Sequence, residues 1–101
     1  MKDLFSIEGK TALVTGGGSG IGEMIARGLV QAGAKVYIAS RKQDVCNQVA
    51  AEISEFGQCI GLSADLQEPS ECVRLANEIV DREGKLEILV NNAGANWGAP
   101  M

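Results

Sequence analysis

The stretch Leu13–Ile25, "LVTGGGSGIGEMI", sets five glycines between Gly16 and Gly22, after a short apolar run and before a helical pattern. Glycine loses more conformational freedom on folding than any other residue, so this density weakens a fold unless bare backbone is required there. Beyond the glycines, apolar or small residues recur at three- and four-residue steps: Ile21, Met24, Ile25, Gly28 and Leu29. The stretch therefore predicts a strand ending at Thr15, a glycine turn, and a helix over Gly20–Ala32.

The same rhythm recurs along the chain. "TALVT" (Thr11–Thr15), "KVYIAS" (Lys35–Ser40) and "LEILVNN" (Leu86–Asn92) have the aliphatic density of strands buried on both faces, and "QCIGLS" (Gln58–Ser63) is a weaker fourth. Helical patterns lie between them, one through Val45, Cys46, Val49, Ala50 and Ile53, another through Cys72, Leu75, Ala76, Ile79 and Val80. Gly33, Gly57 and Gly84 each stand between a helical pattern and the next strand, where a left-handed residue is expected to stop the helix. Pro69 suits the first turn of the third helix, where its missing N–H is not needed. The order β-α-β-α-β-α-β predicts an α/β fold with a parallel sheet and helices on both faces, half of a Rossmann-type doubly wound domain.

Composition narrows the function classes. Apolar residues make up 46% of the 101-residue chain and charged residues 22%, as in a folded domain rather than a disordered tail. The formal charge is −4, and Arg41-Lys42 is the only adjacent basic pair, which argues against nucleic acid as a partner. Cys46, Cys59 and Cys72 are odd in number, far apart and accompanied by no histidine, so neither a disulfide framework nor a metal site is expected; all three read as buried thiols in a reducing compartment. The opening "MKDLFSIEGK" has no long apolar run, so no secretory signal or membrane span is expected and the default address is cytoplasmic.

A glycine turn at the carboxyl edge of a parallel sheet, leading into a helix, points unpaired N–H groups and the positive end of the helix dipole outward, which suits a pyrophosphate. Neither the common G-x-G-x-x-G pattern nor a P-loop is present; the spacing is T-G-x-x-x-G-x-G, Thr15 to Gly22. The fourth strand runs into Asn91-Asn92-Ala93-Gly94. These two motifs together, with "EGKTALVTGG" at the start and "ADL" after the third strand, resemble the short-chain dehydrogenase/reductase family over essentially the whole chain. Within it, the sequence looks most like bacterial reductases of 3-oxoacyl thioesters.

The resemblance implies that Gly16, Gly18, Ser19, Gly20, Ile21 and Gly22 line the pyrophosphate and adenosine ribose of a dinucleotide, mostly through backbone. It places Asp65 and Leu66 at the adenine, Asn91 against the cofactor, and Asn92, Ala93 and Gly94 at the sheet edge beneath it. Each position has a structural alternative: Asp65 as a turn or helix-entry residue, the asparagines as strand terminators. At the end of the second strand, where a carboxylate would hold the 2′-hydroxyl of NAD, stand Ser40, Arg41 and Lys42. An arginine can hold a 2′-phosphate with two donors, so NADP(H) is expected over NAD(H), the alternative being cations that merely solvate a helix start.

The resemblance further implies hydride transfer between the nicotinamide and a carbonyl or alcohol, catalysed by a serine and a Tyr-x-x-x-Lys pair. No catalytic residue is assigned among these 101 residues. Tyr37, the only tyrosine, lies within a strand and is expected to be a packing residue. Residues 1–101 are thus expected to be the dinucleotide-binding portion of an NADP(H)-dependent reductase whose catalytic half is absent, acting on a small carbonyl or acyl-thioester substrate and assembling at full length as a homodimer or homotetramer. Trp97 and Met101 are placed at the rim near the nicotinamide, or at a disordered end. Two further readings stay open: a non-catalytic NADP(H)-binding module, and an inactive fragment that needs its missing half.

Overall fold

The computed structural model describes residues 7–16 and 20–92. The elements run β1 (Thr11–Thr15), α1 (Gly20–Gln31), β2 (Lys35–Ser40), α2 (Gln43–Ile53), β3 (Cys59–Ser63), α3 (Pro69–Glu83) and β4 (Ile88–Asn91). The strands form one sheet in the order β3-β2-β1-β4, and each neighbouring pair is parallel. This is the expected doubly wound α/β arrangement.

Alternate residues of a strand face opposite sides, and the sheet carries a separate core on each. On one side Ala12, Val14, Val36 and Ile38 pack with Ala26 and Val30 of α1 and with Val49, Ala50 and Ile53 of α2. On the other, Leu13, Tyr37 and Ala39 pack with Leu75 and Ile79 of α3. Ile38, Ile53, Leu75 and Ile79 are completely buried, each side chain contributing roughly 1.5–3 kcal/mol relative to exposure. All five residues of β1 are buried because β1 lies between β2 and β4 with helices over both faces.

Four expectations need correction. In α1 the buried stripe is Gly22, Ala26 and Val30, whereas Ile21 and Met24 are 67% and 71% exposed. Small residues face the sheet because they let the helix backbone approach it closely, which rotates the larger apolar residues outward. Cys72 is exposed, as is Val80; only Leu75 and Ile79 of the α3 stripe are fully covered. Gly33 and Gly84 adopt left-handed φ values of +101° and +81°, but Gly57 does not. Helix α2 already stops at Ile53, with Ser54 as its C-cap in right-handed geometry, and Ser54 Oγ donates to Cys59 O at 3.1 Å. Gly57 is needed for another reason: a Cβ there would lie 2.8 Å from Val30 Cγ1. Finally, β4 is not covered on both faces; Leu89, in register with Leu13 on the face that carries α3, is 63% exposed because β4 is an edge strand of the described sheet while α3 packs over Leu13, Tyr37 and Ala39 of β1 and β2.

At the amino edge of the sheet, Tyr37 donates from its hydroxyl to Glu83 Oε2, and Lys35 Nζ sits 2.7 Å from the same oxygen. Tyr37 is thus the packing residue expected, with its polar tip satisfied. Burial, reinforced by the Glu83 carboxylate, raises the Tyr37 pKa above the ordinary phenol value. The hydrogen bonds from Lys35 and then Tyr37 lower that of Glu83.

A depressed carboxylate stabilises the fold above its unfolded pKa, and that stabilisation is lost as pH falls through the folded value. Glu83→Gln should therefore lower stability by on the order of 1 kcal/mol at neutral pH. The gap between variant and wild type should close below the ordinary value of 4.5, as read by urea melts across pH. Burial also pushes the Cys59 thiol up to about 11, and alkylation requires the thiolate. Native protein treated with an alkylating reagent at pH ~8 should label Cys72 first. Peptide mass mapping should find Cys46 and Cys59 modified only after denaturation.

Candidate dinucleotide site

The four strands end at one level of the sheet. Thr15 is in register with Ala39 of β2 and Asn91 of β4, and Ser40 with Ser63 of β3. The parallel order therefore gathers the glycine turn, Ser40-Arg41, Ala64-Asp65-Leu66 and Asn91-Asn92 along one carboxyl edge. In a doubly wound sheet that edge is where ligands bind.

The glycine turn and the asparagine pair, far apart in sequence, are joined by hydrogen bonds. Thr15 Oγ1 donates to Asn91 Oδ1 at 2.9 Å, with Val90 O at 3.3 Å. Asn92 Nδ2 donates to Gly16 O at 3.4 Å. Gly16 itself has φ +73°, and its N–H donates to Ala39 O at 2.7 Å. That left-handed conformation turns the chain from β1 toward α1, and only glycine adopts it without strain.

The two described glycines of α1's first turn serve different needs. A Cβ on Gly22 would lie 2.1 Å from Gly16 O and 3.0 Å from Asn92 Nδ2, so Gly22 lets the helix press against the turn. A Cβ on Gly20 would meet no described atom within 4 Å. Packing among the described residues does not demand glycine at position 20; a ligand approaching the backbone there would. Ile21 is exposed beside it. Gly18, Ser19, Ala93 and Gly94, and likewise Trp97 and Met101, lie outside the described residues.

Leu66 and Asn91 meet across an apolar depression of about 470 Å³, lined also by Gln67, Pro69 and Cys72. Cys72 Sγ lies 3.8 Å from Leu66 O. Asp65 serves in the turn before α3: its Oδ1 accepts from Gln67 N at 3.2 Å and its carbonyl from Glu68 N at 3.0 Å. The turn role given as the alternative for Asp65 is therefore filled, and one carboxylate oxygen is used for it.

At the end of β2, Ser40 Oγ lies 2.9 Å from the buried Cys46 Sγ. Arg41 and Lys42 are exposed, and Lys42 is the N-cap of α2 without a side-chain capping bond. Among the described residues no carboxylate pairs with either cation. Thr15, present in the sequence only as the first residue of the glycine motif, and Asn92, expected only at the sheet edge, prove to be the hydrogen-bonding residues that join the turn to the end of β4. Among the described residues no cluster of metal-ligating side chains occurs, and no helix is long and apolar enough to cross a membrane.

Gly22→Ala should lower stability by about 1–3 kcal/mol, because the clash is with a backbone carbonyl that cannot swing away. Gly20→Ala should leave the thermal midpoint nearly unchanged; equal losses for the two variants would contradict the packing described.

Residues 10–101 match the family model described as short chain dehydrogenase. A Pseudomonas aeruginosa protein, the 3-oxoacyl-acyl-carrier-protein reductase of rhamnolipid biosynthesis, is 46% identical over all 101 residues, which span 40% of its length. The solved Pseudomonas aeruginosa RhlG/NADP active-site complex superimposes with a TM-score of 0.79 at 44% identity, over 84% of this chain and 33% of that one. A 7α-hydroxysteroid dehydrogenase complexed with NADH and 7-oxo glycochenodeoxycholic acid gives a TM-score of 0.82 at 36% identity, over 90% and 36% respectively. With the glycine turn, the asparagine pair and the parallel sheet all in place, the chain belongs to the short-chain dehydrogenase family.

Proposed function

We propose that residues 1–101 form the NADP(H)-binding portion of a reductase that transfers a hydride between the nicotinamide and a ketone or secondary alcohol, with 3-oxoacyl compounds as the substrate class. The observation that carries the cofactor reading is the exposed Arg41. It stands two residues past Ala39, which is level with Thr15, and no described carboxylate neutralises it. A carboxylate at this strand end would repel a 2′-phosphate; an arginine presents paired donors to it.

The rest of the edge fits the same molecule. The space over Gly20, clear of described side chains, and the amino end of α1 suit a pyrophosphate, which the helix dipole attracts. Leu66 and Asn91, facing each other across the apolar depression, suit the flat adenine and the adjoining sugar. When bound, NADP(H) supplies the hydride donor or acceptor. The chain's own residues hold it: Gly20 by leaving backbone accessible, Gly16 and Gly22 by shaping the turn on which the helix end rests, Ser40 and Arg41 by selecting the phosphate, Asn91 by closing the edge over β4. Gly18, Ser19, Ile21, Asp65, Ala93 and Gly94 belong to the same proposed set. Tyr37 takes no part, since its hydroxyl is bound to Glu83 at the opposite end of the sheet. The substrate class is supported by the 3-oxoacyl reductase named among the relatives, and the NADP preference by the RhlG/NADP complex. The hydroxysteroid dehydrogenase neighbour holds NADH, and the difference between the two cofactors is what Arg41 is proposed to read.

Titration of wild type and Arg41→Ala with NADPH and NADH tests the assignment. Loss of a charge-assisted pair should raise the Kd for NADPH roughly 10-fold or more while leaving that for NADH within about twofold. An unchanged preference removes the phosphate role.

A further inference from the structure

Strand β3 is an edge of the sheet, so half of its backbone groups have no neighbouring strand. Ala64 N–H points inward and donates to Ser40 O, which leaves Gly61 and Ser63, of opposite parity, facing outward. Side chains occupy three of these outward groups. Gln43, the first residue of α2, donates from Nε2 to Gly61 O at 3.2 Å and accepts at Oε1 from Ser63 N at 3.1 Å. The same Nε2 donates to Asn47 Oδ1 at 2.8 Å, so the whole amide is engaged although the residue is exposed. Arg74 Nη2 donates to Ser63 O at 3.2 Å.

These contacts bear on the loop between β2 and α2. Ser63 Oγ donates to the carbonyl of Arg41 at 3.1 Å, directly before the first turn of α2. A Cβ on Gly61 would lie 2.7 Å from the Cys46 backbone, so that turn also rests on bare β3 backbone. Arg41 and Lys42 are therefore held from both sides: the Arg41 carbonyl by Ser63, and the residue after Lys42 by the Gln43 amide.

We infer that Gln43 and Ser63 are positioning residues for cofactor discrimination: they fix the β2–α2 loop on the outer edge of β3 so that Arg41 is presented at a set place beyond the sheet. The inference rests on the proposed phosphate role of Arg41. A mobile loop would leave the arginine charged but poorly placed, and a guanidinium gains its advantage over a point charge only when its paired donors are oriented. Gln43 has no charge to offer a phosphate, so any effect it has on preference runs through the loop.

The test titrates NADPH and NADH into wild type, Gln43→Leu, Ser63→Ala and Arg41→Ala, and into Gln43→Leu and Ser63→Ala each combined with Arg41→Ala. Gln43→Leu keeps the bulk and removes all three amide contacts; Ser63→Ala removes only the hydroxyl and is a milder change to the fold. Each single variant should weaken NADPH binding about three- to tenfold, with NADH changed less than about twofold. In the Arg41→Ala background neither should alter the preference further, which a general loss of stability would not reproduce. Equal weakening of both cofactors, no change in preference, or the same effect with Arg41 absent would overturn the inference. If Arg41→Ala alone leaves the preference intact, the phosphate reading fails and the inference with it. If Arg41→Ala shifts the preference and the other two variants do not, the reading stands and only the positioning role falls.

Discussion

The part of the carboxyl edge formed by β1, α1 and the end of β4 depends on the contact between Gly22 and the carbonyl of Gly16. A side chain at position 22 would occupy the place of that oxygen. Its absence lets α1 press against the turn that leaves β1, and the same carbonyl accepts from Asn92 beyond β4. One backbone oxygen thus ties together the central strand, the helix whose amino end faces the proposed pyrophosphate, and the strand that closes the edge. The rotation of α1 that buries Gly22, Ala26 and Val30 results from this close approach, and so does the outward display of Ile21 and Met24.

The two ends of the edge are built by different means. Around β1 and α1 the shape is set by glycine backbone, which has no rotamers to adjust. Around β2 and β3 it is set by side chains, Gln43 and Arg74 on the outer backbone of β3, Ser63 on the Arg41 carbonyl and Cys46 beneath Ser40. The difference matches the ligand chemistry each end is proposed to meet. A pyrophosphate is common to both nicotinamide cofactors and can be received by fixed N–H groups. The group that distinguishes the two cofactors is proposed to be met by side chains, Arg41 foremost.

Away from the site the opposite edge is pinned by charge. Glu83 gathers Lys35 and Tyr37, while Glu87 Oε1 accepts from Thr11 N at 3.0 Å and lies near Lys85, with Lys10 3.6 Å from its other oxygen. These bonds lower the pKa of both carboxylates, through Lys35 first for Glu83 and through the Thr11 N–H first for Glu87. They fasten the end of α3 and the approach to β4 onto β1 and β2.

Much of this was legible in the residues. Aliphatic runs separated by helical patterns gave the order of elements and the two-sided sheet, and the T-G-x-x-x-G-x-G turn with the later Asn91-Asn92 pair marked the two segments that the sheet brings together at the edge where a dinucleotide is proposed to lie. Such patterns are local, and local spacing is written directly in the chain. The tertiary structure alone decided which stripe of α1 is buried, since periodicity sets the pitch of a helix but small residues competing for the sheet set its phase. It decided that Cys72 is exposed and that Gly57 makes room for Val30 rather than stopping a helix, because both depend on what packs opposite. It also decided that Gln43, an ordinary surface glutamine by type, completes the backbone of an edge strand 18 and 20 residues further on. A hydrogen bond across that separation exists only once the sheet has formed, and no spacing in the sequence encodes it.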